Sequence, residues 1–253
     1  MATPAPAVSL SAAVRRAGPA GFTLAIAAYF GVAFVLERYG GRLGELAIGI
    51  VTWLVLIAAV RPLPSRERAR VAGVVLVASA GEVLGSLILG LYAYRRGGIP
   101  AFVPPGHGLV YLAGYRLMQS GVVRRHMRAV ARLAVAGGAT WALLGLTIAA
   151  RPDVAGALAM VAMIAFLIRG REPALFACML LVVAALEIYG TRMGTWEWAS
   201  HWSPFGVPSG NPPSGIAAGY CLFDVLALTL APRLERLAAS RLMPGNAMPS
   251  AVA

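Results

Sequence analysis

Long apolar runs follow one another along almost the whole chain, separated only by short polar or Pro/Gly-rich segments. Hydrocarbon leaves no water to satisfy a backbone, so runs of this kind fold as membrane-spanning α-helices. Of 253 residues, 59% are hydrophobic and 13% charged. A soluble domain would carry roughly a quarter charged residues. The mean hydropathy of +0.74 agrees. The fold class read from this pattern is an all-α polytopic membrane protein. A span needs about 20 apolar residues, and about eight are read, at 20–37, 43–60, 71–93, 107–121, 129–150, 153–168, 173–194 and 214–232. The fourth and sixth are short, which leaves seven as the other count.

Two glutamates interrupt these runs. Glu82 lies inside 71–94 and Glu187 inside 173–198, 105 residues later. Each is followed three residues on by glycine, Gly85 and Gly190. Each run then reaches an alternating aromatic pair, Tyr92 and Tyr94 or Trp196 and Trp198, and a Pro/Gly-rich loop. Residues 66–86 align without gaps on 171–191, and nine of the 21 positions are identical. The match returns at Gly114-Tyr115 and Gly219-Tyr220, and it sets Asp224 against Gln119. The chain is therefore read as two four-helix repeats, 19–122 and 123–232, between a leader (1–18) and a disordered cytoplasmic tail (233–253). An even number of spans per half gives both halves one orientation and a pseudo-twofold axis along the membrane normal.

The net charge of +12 reflects 22 arginines and no lysine. The arginines fall mainly in alternate loops, so they mark cytoplasmic segments and not a nucleic-acid surface. With the N-terminus inside, fifteen arginines lie on the cytoplasmic side and six on the other, with Arg116 left within the fourth span. The expected location is the cell's inner (plasma) membrane, with both termini cytoplasmic and both Pro/Gly loops outside. The leader resembles a signal peptide in composition, but no cleavage site follows the first span, which is read as retained. Cys178 and Cys221 both fall in spans and are read as buried small hydrophobes, not a disulfide.

Ionisable groups in hydrocarbon are costly and mark functional sites by default. Glu82 lies 12 residues beyond Arg70, or about 18 Å along a helix, near the bilayer middle. Burial and mutual repulsion disfavour two charges together, so one glutamate is expected to keep its proton and act as a general acid. His107, in the loop 97–108, and Asn211, its rough counterpart in 203–215, are the candidate helpers. These four are the candidate catalytic residues. Arg116 and Asp224 are candidates for substrate binding or for a structural clasp, each needing a polar partner in the membrane. Tyr92, Tyr94, Trp196 and Trp198 fit either an aromatic belt at the outer interface or the lining of a substrate pocket. A metal site from Glu82, Glu187, His107 and His201 lacks supporting ligand spacing, so neither metal nor cofactor is expected.

The succession Glu82-x-x-Gly85, Gly90, Tyr92-x-Tyr94, Ile99-Pro100 and Val103-Pro104 resembles the membrane hydratases of carotenoid biosynthesis. Those proteins carry a Glu-x-x-Gly, an aromatic pair and a Val-Pro-rich loop in comparable order. The likeness covers about 25 residues and returns loosely in the second half. The Pro-Gly-His-Gly at 105–108 and the Asn-Pro-Pro-Ser-Gly at 211–215 depart from that pattern. The resemblance implies acid-assisted addition of water to an isoprenoid double bond, with no redox cofactor. An apolar lipid or small molecule is then the partner, with no nucleic acid. Two other classes remain open at this point. A proton-coupled transporter would use the same glutamates as proton carriers. A scaffold would tolerate their replacement by glutamine.

Overall fold

The structure, a computed structural model, describes residues 18–242, with side chains through Leu237. The leader up to residue 17 and the tail beyond Leu242 lie outside the described residues; 233–242, expected as part of a disordered tail, are helical. Nine α-helices are described. They are α1 (Gly18–Tyr39), α2 (Gly41–Val60), α3 (Ser65–Glu82), α4 (Val103–Gln119), α5 (Gly121–Arg125), α6 (Met127–Thr147), α7 (Val154–Arg169), α8 (Pro173–Met193) and α9 (Ala217–Leu242). α3 continues as a π-helical segment, Val83–Ile88. Two small antiparallel sheets join β1 (Tyr92–Tyr94) to β2 (Trp196–Trp198) and β3 (His201–Trp202) to β4 (Val207–Pro208).

Local chemistry sets the boundaries. Gly41, at φ +62, turns the chain between α1 and α2. Pro62 and Pro64 separate α2 from α3, and Pro173 opens α8, where a missing N–H costs nothing. Ser120 caps α5 and Asp153 caps α7 through side-chain oxygens. Gly194 closes α8 in the left-handed region.

Six helices are long and apolar enough to cross a membrane: α1, α2, α3 with its π segment, α6, α8 and α9 up to Leu237. The fourth and sixth expected spans are helices too, but α4 has 17 residues and α7 has 16. The loop read at 97–108 ends sooner. Pro104 and Pro105 sit in the first turn of α4, where proline is tolerated, so helix begins at Val103 and takes in His107.

The inner layer consists of α3, α4, α8 and α9. α3 packs along α9 and α4 along α8, and α3 and α8 also touch α4 and α9 respectively. α1 and α2 cover α4 on one flank, while α6 and α7 cover α8 and α9 on the other. The outer surface is apolar, as lipid contact requires: Leu24, Leu46, Leu133, Leu158 and Val161 are all more than half exposed.

β1 and β2 follow α3 and α8, so the C-terminal ends of these two helices lie at one end of the bundle. The Arg38 and Arg95 guanidinium groups both donate to the Met193 carbonyl there. Arg95 and Arg96 also pair with the buried Glu37 at the end of α1, and Arg96 reaches Glu45 at 3.2 Å. Gly18 and Leu242 therefore both lie at the opposite end, with Arg61, Arg66, Arg68, Arg124, Arg125, Arg128 and Arg171.

Helix approach depends on small residues. A Cβ on Gly73 would stand 3.1 Å from the Ala227 carbonyl oxygen and 3.3 Å from its Cα, so α3 and α9 meet backbone to backbone. Gly73→Leu is expected to destabilise the protein by about 1–3 kcal/mol through overpacking. Gly137→Ala in α6, where a Cβ meets nothing within 4 Å, should be neutral or stabilising. Thermal unfolding in detergent checks both, and equal midpoints would refute the close crossing.

Candidate active site

The alternating aromatic pairs are strands, and strand geometry decides where their rings go. Side chains alternate between faces, so Tyr92 and Tyr94 share one face and Trp196 and Trp198 share one. The register pairs Tyr92 with Trp198 and Tyr94 with Trp196. Ala93 and Glu197, between them, are exposed. Tyr94, Trp196 and Trp198 are buried, so these residues form an inward-facing cluster and not an aromatic belt, the other of the two readings of the sequence. The Tyr92 and Trp198 rings lie 4.6 Å apart, centre to centre.

The recurring Glu-x-x-Gly has a physical explanation here. Gly85 is one helical turn past Glu82, and a Cβ there would stand 3.1 Å from the Tyr92 ring. Gly190 is one turn past Glu187, and a Cβ there would collide with the Trp196 indole. Each glycine clears the helix surface so that an aromatic side chain can fold back over it to the carboxylate.

Each carboxylate collects three hydrogen bonds. Glu82 Oε2 accepts from the Tyr92 and Tyr94 hydroxyls at 2.9 and 2.6 Å, and Oε1 is 2.8 Å from His107 Nε2. Glu187 Oε2 accepts from the Trp196 and Trp198 indole N–H groups at 2.9 and 3.1 Å, and Oε1 accepts from the Tyr220 hydroxyl at 3.1 Å. In both cases the aromatic pair serves one oxygen, and a side chain from the first turns of the following helix serves the other. His107 and Tyr220 face each other, with ring centres 5.1 Å apart. Burial first, and then the Glu82 carboxylate, pushes the Tyr92 and Tyr94 phenols well above their ordinary range. Both therefore remain hydrogen-bond donors at any pH the protein meets.

Both carboxylates face one cavity of about 280 Å³. Apart from them its walls are mainly apolar and aromatic, including Phe30, Phe34, Val110, Leu186 and Phe223. Leu84, on the π segment, also lines it and is 51% exposed. π segments inside α-helices recur at functional sites.

The structure thus brings together Glu82, Glu187, His107, Tyr92, Tyr94, Trp196 and Trp198. Asn211 is elsewhere: it is exposed, and its Oδ1 accepts from the Trp198 backbone N–H at 3.1 Å. Arg116 lies toward the far end of α4 and donates to Gln119 at 3.3 Å. It pairs with neither glutamate, and no Arg116–Asp224 ion pair forms among the described residues. Asp224 is buried one turn past Tyr220. His201 is exposed beside Ser200, and no cluster of three or more His, Cys, Asp or Glu side chains able to hold a metal occurs among the described residues.

Three residues that sequence reasoning missed belong here. Tyr220 occupies the position opposite His107. A constant offset of 105 sets it against Tyr115, whose hydroxyl bonds Glu67 instead. Arg151 donates to the Ser209 and Trp198 carbonyls at 3.0 and 2.8 Å. Asp153 accepts from the Gly156, Gly210 and Ser214 N–H groups at 3.0, 2.8 and 2.7 Å. The last two residues hold the second loop in place. The helix-capping position of Asp153, just before an apolar run, was its one signal in the sequence.

Set against protein-family models, curated proteins and solved structures, the chain matches none.

Gly190→Ala should expel the Trp196 ring and leave a buried carboxylate oxygen short of a donor, costing about 1–3 kcal/mol. Gly31→Ala, in open space on α1, should not. Thermal unfolding with near-ultraviolet circular dichroism reads the difference; an unchanged tryptophan signal in Gly190→Ala would contradict the packing.

Proposed function

We propose that the chain is an integral membrane enzyme in which Glu82 and Glu187 serve as acid and base on an apolar, isoprenoid-type lipid. The reaction class is hydration, cyclisation or isomerisation, without a redox cofactor. One observation carries this reading: two caged carboxylates face a single cavity with mainly apolar and aromatic walls. The resemblance of 82–104 to the carotenoid hydratases points the same way.

Glu187 is assigned as the proton donor, because its three partners are neutral N–H and O–H groups. Glu82, paired with His107, is assigned as the group that takes a proton back. The acid places its proton on one carbon of a double bond and leaves a cation on the next. The faces of Tyr92, Trp198 and Trp202 stabilise that cation. A water then adds and gives its extra proton to the other carboxylate, or a neighbouring C–H bond gives one up and the double bond moves. Either course returns one proton to the pair for each proton donated. Polar substrate groups other than the reacting bond have few partners in such a wall, which favours a hydrocarbon chain.

The same proposal takes the chain as two four-helix halves of one orientation, including the shorter α4 and α7 as spans. The exchanged packing of α3 on α9 and α4 on α8, and the matched carboxylate cages, support it. The arginine asymmetry supports placing the β1–β2 end outside the plasma membrane and both termini in the cytoplasm.

Glu82→Gln and Glu187→Gln retain shape and remove the acid. Each is expected to lower turnover by about 10²–10⁴-fold, so extracted lipids should match those of cells lacking the protein. A wild-type lipid profile from both variants, where deletion alters it, would overturn the acid–base mechanism. Altered solute uptake with unchanged lipids on deletion would put a proton-coupled transporter in its place.

Topology has a separate check. Phe205 is 85% exposed at the β1–β2 end, Arg125 is exposed at the other, and the native Cys178 and Cys221 are buried. Phe205→Cys should react with an impermeant maleimide in intact cells, and Arg125→Cys only after lysis; the reverse order refutes the orientation.

A further inference from the structure

A second cavity lies at the arginine-rich end of the bundle, apart from the glutamate pair. It has a volume of about 290 Å³ and sits where α1 begins, α2 ends and α4 nears its last turn. α1 contributes Pro19 and Phe22, α2 and the turn after it contribute Ala59 and Leu63, and α4 contributes Leu112 and Arg116. Phe22, Ala59, Leu63 and Leu112 are buried, so the apolar part of the wall belongs to the protein interior. The Thr23 hydroxyl donates to the Ala113 carbonyl at 2.8 Å, which ties α1 to α4 beside Phe22 and Leu112. The cavity therefore adjoins a fixed helix contact.

Among the described residues, Arg116 is the one charged member of this wall. A guanidinium carries five N–H donors. Arg116 is half-buried and donates through Nη1 to Gln119 at 3.3 Å; among the described residues no carboxylate lies within 4 Å of it. The acids at this end are Glu67, Glu172 and Glu235. Glu67 takes the Tyr115 hydroxyl and Glu235 the Ser65 hydroxyl, and none of the three pairs with Arg116. A cation drawn partly out of water without a counter-ion is costly, and an anion entering beside it offsets that cost.

We propose that this cavity binds the headgroup of an anionic phospholipid, with its phosphate on the Arg116 guanidinium and its glycerol and upper acyl carbons against Phe22, Leu63 and Leu112. Charge selects the phosphate, whose oxygens match the guanidinium fork. The apolar wall selects a lipid over a free anion. A hydrated inorganic anion would give up water to a wall with one charged donor, which is unfavourable. A lipid brings carbon that gains from burial against the same wall. Basic pockets between spans bind lipid headgroups for these reasons. The site is independent of the acid–base reading, and a lipid seated in it bridges α1, α2 and α4.

The test uses the full chain, stripped of lipid in detergent. Native mass spectrometry counts bound lipid, and the unfolding midpoint is followed as lipid is added. Dioleoylphosphatidylglycerol is expected to bind and to raise the midpoint. Dioleoylphosphatidylcholine, whose choline neutralises the phosphate, and inorganic phosphate should each act about tenfold more weakly. Arg116→Gln should weaken phosphatidylglycerol binding about five- to tenfold. Arg68→Gln, exposed on α3 at the same end, should leave it near wild type. Ala59→Leu fills the cavity with an apolar side chain and should abolish binding in a folded protein, so the site stays testable even if Arg116→Gln unfolds. Equal binding of phosphatidylcholine overturns the selection by charge. Equal action of inorganic phosphate makes this a free-anion site and overturns the lipid. Equal weakening by Arg68→Gln, or full binding in folded Arg116→Gln or Ala59→Leu, puts the lipid elsewhere on the basic surface and overturns the site.

Discussion

Two carboxylates sealed in an apolar bundle must be supplied with hydrogen-bond donors, and that requirement organises the centre of this protein. Charge taken out of water is tolerated only when its lone pairs are met. Here six side-chain groups meet them. Four come from a two-stranded sheet of three residues per strand, too small to be stable alone. The sheet in turn depends on Gly85 and Gly190 for clearance, and on Arg151 and Asn211 to hold the Trp198 backbone. Glu37, with Arg95 and Arg96, ties the same end to α1.

The two cages match in geometry but differ in chemistry. An indole N–H only donates, whereas a phenol or an imidazole can both give and take a proton. Glu82 is surrounded by two phenols and an imidazole; Glu187 has two indoles and one phenol. All three hydrogen-bond partners of Glu82 can therefore pass a proton on, whereas of the partners of Glu187 Tyr220 alone can.

Much of this was legible in the sequence because the features are local. Acids inside apolar runs, glycine one turn later and aromatics at alternate positions are all visible within 17 residues, from Glu82 to Gly98. Membrane class followed from the lengths of the runs. What could not be read was direction and depth. Alternation identifies a strand but does not say whether its rings face lipid or a carboxylate, so a belt and a pocket looked alike. Tyr220 was obscured by loop length: His107 follows Glu82 by 25 residues, and Tyr220 follows Glu187 by 33. A fixed offset therefore picked Tyr115 and Gln119 as partners where the bundle brings Tyr220 and Asp224 beside α4. Apart from the local cap of Asp153 on Gly156, Arg151 and Asp153 act on backbone groups 47 to 61 residues away, and backbone acceptors and donors leave no residue-specific trace.

The π segment after Glu82 reconciles two different spacings. Tyr92 follows Glu82 by ten residues, whereas Trp196 follows Glu187 by nine. An extra residue in an ordinary α-helix would rotate everything beyond it by about 100° and turn the tyrosines away from the carboxylate. A π turn absorbs one residue as a local widening of the coil; here the Leu89 N–H bonds back five residues to the Leu84 carbonyl, and α8, on the other side, stays regular through Met193. The π turn thus takes up the one-residue difference in spacing, and the aromatic pair reaches its acid in both places.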